Sequence, residues 1–280
     1  MRKSLLIVTL LGTYTFAQDA TPKEPESNHN LMYSLDLGYR LDGAQYEGVH
    51  LVEYTYKFAN GYNLQGAFFA HTYYTKNESG SWHDTWQHDY LQLRWSTPKL
   101  WNILGFDTNV QVRYALPTAN DDQLSGSYGN VIPRLVMERE FNSHFNLTML
   151  PKIGVYFQRN GYPVRDGAKS DRNNLAIVDF EILPQWKILE NLTLTYDAEI
   201  SGLYKGNGAQ GEHSFVMEGD FTEELELMYT LHQAGDLGVG WFINDGNDGH
   251  LFGNYQSDMG QIAKGKYLFT GLRLIKAIDL

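Results

Sequence analysis

The sequence predicts an all-β fold: a closed antiparallel barrel of about twelve strands, with one apolar and one polar face. Three observations predict it. Apolar residues recur at every second position along most of the chain, the period of a strand whose two faces meet different media. The alternating segments number twelve, an even count. The connections between them alternate between short polar turns and, for the most part, longer stretches rich in Gly, Asn, Asp and Ser.

The chain is 280 residues long, and its first segment is a targeting signal by pattern. Arg2 and Lys3 precede a mostly apolar run from Ser4 to Phe16, and Thr15-Phe16-Ala17 offers a small-residue cleavage site. The run is too short to span a bilayer as a helix. We therefore expect a signal peptide over 1–17, a flexible polar lead over 18–30 containing Pro22 and Pro25, and a barrel over 31–280.

The first strand shows the pattern most plainly. Leu31, Tyr33, Leu35, Leu37, Tyr39 and Leu41 share one parity; Met32, Ser34, Asp36, Gly38, Arg40 and Asp42 share the other. The same alternation predicts strands over 31–42, 48–58, 62–74, 87–97, 103–116, 129–141, 145–158, 173–186, 191–205, 212–221, 225–244 and 264–280. Short turns are expected at 59–61, 98–102, 142–144, 187–190 and 222–224, and longer loops at 75–86, 117–128, 159–172, 206–211 and 245–263; the first connection, 43–47, is short. In 212–244 apolar parity runs unbroken from Phe215 to Ile243, so the turn falls either at 222–224 or at Gln233 to Asp236. The first choice fits a weak repeat of an aromatic, a polar turn and a resumed alternation, which leaves Gln233 to Asp236 as a bulge.

A soluble sandwich also alternates. Strand length decides against it, because soluble strands are usually about 5–6 residues long. In lipid no sheet edge can stay open, so such strands must close on themselves. Aromatics point the same way. Trp95, Trp101 and Trp186 lie next to short turns, Trp82, Trp86 and Trp241 near long loops, as two interfacial belts require.

With a signal peptide, an even number of amphipathic strands, short-turn and long-loop asymmetry, and a terminal strand carrying Leu268, Thr270, Leu272, Leu274, Ile278 and Leu280 on one parity, the chain resembles the bacterial outer-membrane β-barrel family. Members usually end in an aromatic; here Leu280 is last and Lys276 interrupts the parity. The resemblance implies a Gram-negative outer-membrane location, contact with outer-membrane lipid and lipopolysaccharide, and a channel.

The polar parity then faces the lumen. The strands between 87 and 158 point Arg94, Arg113, Arg134 and Lys152 inward, with Asp107 and Glu138 as their main acids. Those between 173 and 244 point Asp179, Glu181, Asp197, Glu199, Glu218, Asp220 and Glu226 inward. Two walls of unlike charge bias which ions or polar solutes pass, and the acid excess suggests cation preference. The opposing reading is that these residues meet as ion pairs and plug the barrel, which then serves as a surface scaffold or adhesion platform. An outer-membrane lipid hydrolase is disfavoured, because no predicted strand places a serine on the apolar parity beside His50 or His213. No catalytic residue, metal site or cofactor is expected: the run Asn244 to Gly249 lacks the Gly and Glu offsets of a calcium loop. A formal net charge of −11 and the lack of cysteine exclude a basic nucleic-acid binder and a disulfide-stapled domain.

Overall fold

The computed structural model describes residues 28–40, 45–76, 82–116, 118, 127–158, 164–165, 168–169, 174–205, 216–244 and 269–279. The expected signal peptide, most of the polar lead and most of the long loops lie outside the described residues.

Twelve strands form the barrel: β1 (His29–Arg40), β2 (Gln45–Lys57), β3 (Asn63–Lys76), β4 (Trp82–Ser96), β6 (Phe106–Leu116), β7 (Ser127–Asn142), β8 (Phe145–Gln158), β11 (Asn174–Leu189), β12 (Leu192–Lys205), β13 (Val216–Leu231), β14 (Leu237–Asn244) and β15 (Phe269–Asp279). Three short strands decorate it: β5 (Trp101–Ile103) pairs with the start of β6, and β9 (Val164–Arg165) pairs with β10 (Ala168–Lys169). All pairings are antiparallel. Each barrel strand pairs with the next one in the chain; β1 pairs with β15, and β4 with β6, which closes the ring.

The closed sheet satisfies its backbone internally and sorts its side chains by parity. Ile200, Val178 and Leu272 are 60, 57 and 56% exposed, although each is a large apolar residue. Their neighbours on the opposite parity, Glu199, Asp179 and Arg273, turn inward. A soluble protein would show the reverse, so the outer face is built for lipid. Leu37 and Ile153 are exposed on that face, while Asp36, Gln111 and Lys152 are buried within the ring.

Both ends of the described barrel lie at the short-turn rim: Asn30 pairs with Asp279, and its Nδ2 donates to Asp279 Oδ1 at 3.1 Å. An aromatic girdle marks this rim. Tyr62 stacks on Trp95 at 5.3 Å, Phe141 meets Phe145 at 5.5 Å, and Phe145 meets Trp186 at 5.4 Å. At the opposite rim Tyr39 packs against Tyr46 at 6.1 Å, and Trp241 is exposed three residues from the end of its strand. The side chains of Trp82 and Trp86 lie outside the described residues.

Two expected turns move. The segment 222–224 is no turn: β13 runs straight through it, and the chain reverses instead at 232–236. There His232–Ala234 form one 3-10 turn, and Gly235 (φ 65°) and Asp236 (φ 60°) take the left-handed backbone. Thr222-Glu223-Glu224 offers no residue suited to positive φ; Gly235 does, and Asp236 tolerates it. Lys276, which breaks the apolar parity of the last strand, donates to the carbonyls of Ala234 and Gly235 and so ties β15 to this turn. The other displaced turn is at Leu104 (φ 54°) and Gly105 (φ 85°), not at 98–102. The Asn102 side-chain oxygen accepts from Gly105 N at 3.1 Å, and β5 folds back on β6.

Candidate functional site

The lumen holds the candidate site, and the strand register sets its order. Arg94 on β4 lies beside Arg113 on β6; Gln111 on β6 lies beside Arg134 on β7; Arg134 lies beside Lys152 on β8. Lys152 faces Asp179 on β11, Glu181 pairs across to Glu199 on β12, and Asp197 lies beside Glu224 on β13. The ring is completed by Arg273 on β15 beside Asp36 on β1. Basic residues thus occupy four consecutive barrel strands and acidic residues the next three. Side-chain period two requires this: one slip in register would send a whole wall into lipid.

The walls do not stay separate at their edges. Lys152 Nζ sits 3.1 Å from Asp179 Oδ2, 2.5 Å from Glu181 Oε2 and 2.7 Å from Glu199 Oε2. Arg273 forms a second node. Its Nε and Nη2 each donate at 2.8 Å to the two oxygens of Asp36, its Nη1 donates at 2.8 Å to Glu224 Oε1, and Nη1 also reaches Glu226. The Arg273 guanidinium lies 5.0 Å from the centroid of the Phe242 ring. Asp36 and Arg273 join the first and last strands, so this node sits across the seam of the barrel. Of the expected pore-lining acids, Asp179, Glu181, Glu199 and Glu226 are therefore held by cations. Asp197 is partly exposed and has one oxygen, Oδ1, without a hydrogen-bond partner.

The basic arc is arranged differently. Arg94 donates to Gln65 at 3.1 Å and to Gln92 at 3.2 Å, and lies 3.7 Å from Glu53. Gln65 in turn donates to Glu53 and Thr55, each at 3.1 Å. Arg134 Nε donates to Gln111 at 2.5 Å, and Gln111 donates to Ser96 at 2.9 Å. Arg113 Nε and Nη1 and Arg134 Nη1 are buried with no partner. Neither Arg113 nor Arg134 has an ion pair among the described residues.

Some expectations for the site change. Asp107 and Glu138 are not wall residues: both are exposed near the short-turn rim, where Asp107 pairs with Lys99 and accepts from Asn102 at 2.8 Å. Glu218 and Asp220 lie on β13 opposite Leu203 and Ser201, and their side chains lie outside the described residues. Glu223, expected in a turn, is on the apolar parity, where it is buried and accepts from the Tyr196 hydroxyl. The inward parity is also less polar than expected. Met32, Leu51, Ala67, Phe69 and Ala115 pack together inside the ring with Ile275, and Val136, Leu150 and Leu183 form a second apolar cluster. Arg273, Glu224 and Glu53 are lumen residues outside the expected set. Arg273 was detectable, since it falls between Leu272 and Leu274 on the polar parity of the last strand.

Among the described residues no group of three or more His, Cys, Asp or Glu side chains is arranged to hold a metal ion. No family model matches the chain, and no curated relative matches it. Solved structures do. The barrel is similar to an outer-membrane channel of Pseudomonas putida, with TM-score 0.57 and 10% identity over 91% of this chain and 97% of that one. It is also similar to the NanC porin, with TM-score 0.50 and 9% identity over 89% of this chain and 99% of that one. The chain has the fold of bacterial outer-membrane barrels, a closed ring of twelve antiparallel strands.

Proposed function

We propose that the protein is a porin-like channel of a bacterial outer membrane, passing small hydrophilic solutes or ions between its two faces. Its apolar belt meets outer-membrane lipid and lipopolysaccharide, and residues 1–17 direct export. One observation carries the reading. Polar atoms of Gln92, Asn109, Arg113, Asn130, Arg134 and Asp197 point into the ring and are buried without a hydrogen-bond partner. Each such group costs about 1–3 kcal/mol in a dry interior. A water-bearing lumen removes that cost, and a dry plug does not. The barrel's likeness in fold to outer-membrane channels supports the same reading.

Cation preference is the finer part of the proposal. It is supported by the number of inward carboxylates, Asp36, Glu53, Asp179, Glu181, Asp197, Glu199, Glu224 and Glu226, against Arg94, Arg113, Arg134, Lys152 and Arg273. A second reading, the plugged scaffold, draws on the near-complete burial of Glu181, Arg273, Lys152 and Arg94. Planar-bilayer recording of the purified protein separates the two. The channel reading expects stepwise conductance in KCl, and in a KCl gradient the Asp197→Asn, Glu199→Gln double variant shifts the reversal potential toward anions. A silent barrel supports the scaffold. Conductance with unchanged selectivity removes the acidic wall from the mechanism.

A further inference from the structure

The arginine arc runs against the overall sign of the lumen. Arg113 and Arg134 are 7 and 6% exposed, yet neither has a carboxylate within ion-pair distance among the described residues. They sit on neighbouring strands, with Arg94 and Lys152 as their flanking cations. Lys152 is occupied by three carboxylates, and Arg94 by two glutamines and Glu53. What remains open is the middle of the arc: Arg113 Nε and Nη1 and Arg134 Nη1, three N–H-bearing atoms from two planar forks. Arg134 is held in place by its bond to Gln111, itself fixed by Ser96. The acceptor oxygens of Asn109 and Asn130, on the same two strands, are also unpartnered.

Two buried guanidinium groups side by side are costly unless an anion joins them. Arginine forks match the planar, two-oxygen geometry of carboxylates and the oxygens of phosphate. We infer that Arg113 and Arg134 form an oxyanion subsite in the lumen, which takes the carboxylate or phosphate group of a small permeating solute. This deepens the channel reading and rests on it for the solute's access to the site.

The test measures binding and conduction separately. Potassium propionate and potassium phosphate are titrated calorimetrically into the full chain in detergent. The same salts are then added to bilayers holding the protein in KCl. Saturable binding of either salt is expected. Arg113→Gln together with Arg134→Gln weakens it at least about tenfold, equivalent to about 1.4 kcal/mol. Lys99→Gln at the rim serves as control and leaves it unchanged. If the double variant does not fold, Arg113→Gln alone is used, with the same direction expected. Tighter binding of propionate assigns the subsite to carboxylates, and tighter binding of phosphate assigns it to phosphate esters. No saturable binding of either salt overturns the proposal, as does binding that survives both arginine substitutions. Binding with a barrel that conducts nothing keeps the subsite and removes the channel; conduction without binding does the reverse.

Discussion

The two halves of the lumen solve the same electrostatic problem in opposite ways. Across β8, β11 and β12, one lysine faces three carboxylates, and across β13, β15 and β1 one arginine faces three more. Across β4, β6 and β7, three arginines stand side by side, met among the described residues by glutamine amides and by Glu53. The first arrangement is self-sufficient: its cations hold strands together, and most of its charge is committed. The second is unfinished without something that comes from outside. Buried charge that is paired contributes to the fold, and buried charge that is left over points to a ligand.

The largest effects should come from breaking the paired half. Lys152→Met strands Asp179, Glu181 and Glu199 together, and Arg273→Met does the same to Asp36, Glu224 and Glu226. Loss of one partner from a buried pair costs about 3–5 kcal/mol. Urea unfolding in lipid vesicles, followed by tryptophan fluorescence, should show losses of that size. A loss below about 1 kcal/mol would mean that lumen water screens the nodes. Its three carboxylate partners make Lys152 a support of the barrel as well as a residue of its wall.

Next in size are substitutions on the lipid face, where depth decides the cost. Ile153 pairs with Val178 near the middle of its strand, so Ile153→Arg should cost about 2–4 kcal/mol. Leu147 lies two residues from the start of β8, so Leu147→Arg near the interface should cost only about 0–1 kcal/mol. The same unfolding assay reads both; equal losses would contradict the placement of the membrane along the strands.

The smallest effects are expected where the comparison is sharpest. Arg113→Gln removes a buried cation that has no carboxylate within 4.0 Å among the described residues, and stability should hold or rise. A loss matching that of Lys152→Met would show that Arg113 is paired after all, and the contrast between the two halves would fall. At the rim, Lys99→Ala breaks an exposed pair with Asp107 and should cost under about 1 kcal/mol, less still at high salt. A salt series on the two variants Lys99→Ala and Lys152→Met separates the screened pair from the buried one.

Much of this molecule was written in local pattern. Period two named the strands, and the residue types on each parity named the wet face and the greasy one, because a pleated strand has no other way to place its side chains. Arg94, Arg113, Arg134, Lys152 and the acids Asp179, Glu181 and Glu199 all point inward for that reason alone. Pattern was silent wherever a choice depended on partners. The stretch 222–224 looked like a turn because it fits the weak repeat of an aromatic, a polar turn and a resumed alternation. Only the assembled barrel shows Glu223 held by the Tyr196 hydroxyl, while Gly235 and Lys276 secure the true reversal. The sequence could not say that Arg273 meets Asp36, which lies 237 positions away and is brought beside it only by closure of the ring. Nor could it say which cations would be satisfied. Parity fixes the face on which a charge stands. Its neighbours across strands, and so whether it is neutralised or left open to a ligand, follow from strand order and register, which only closure of the barrel sets.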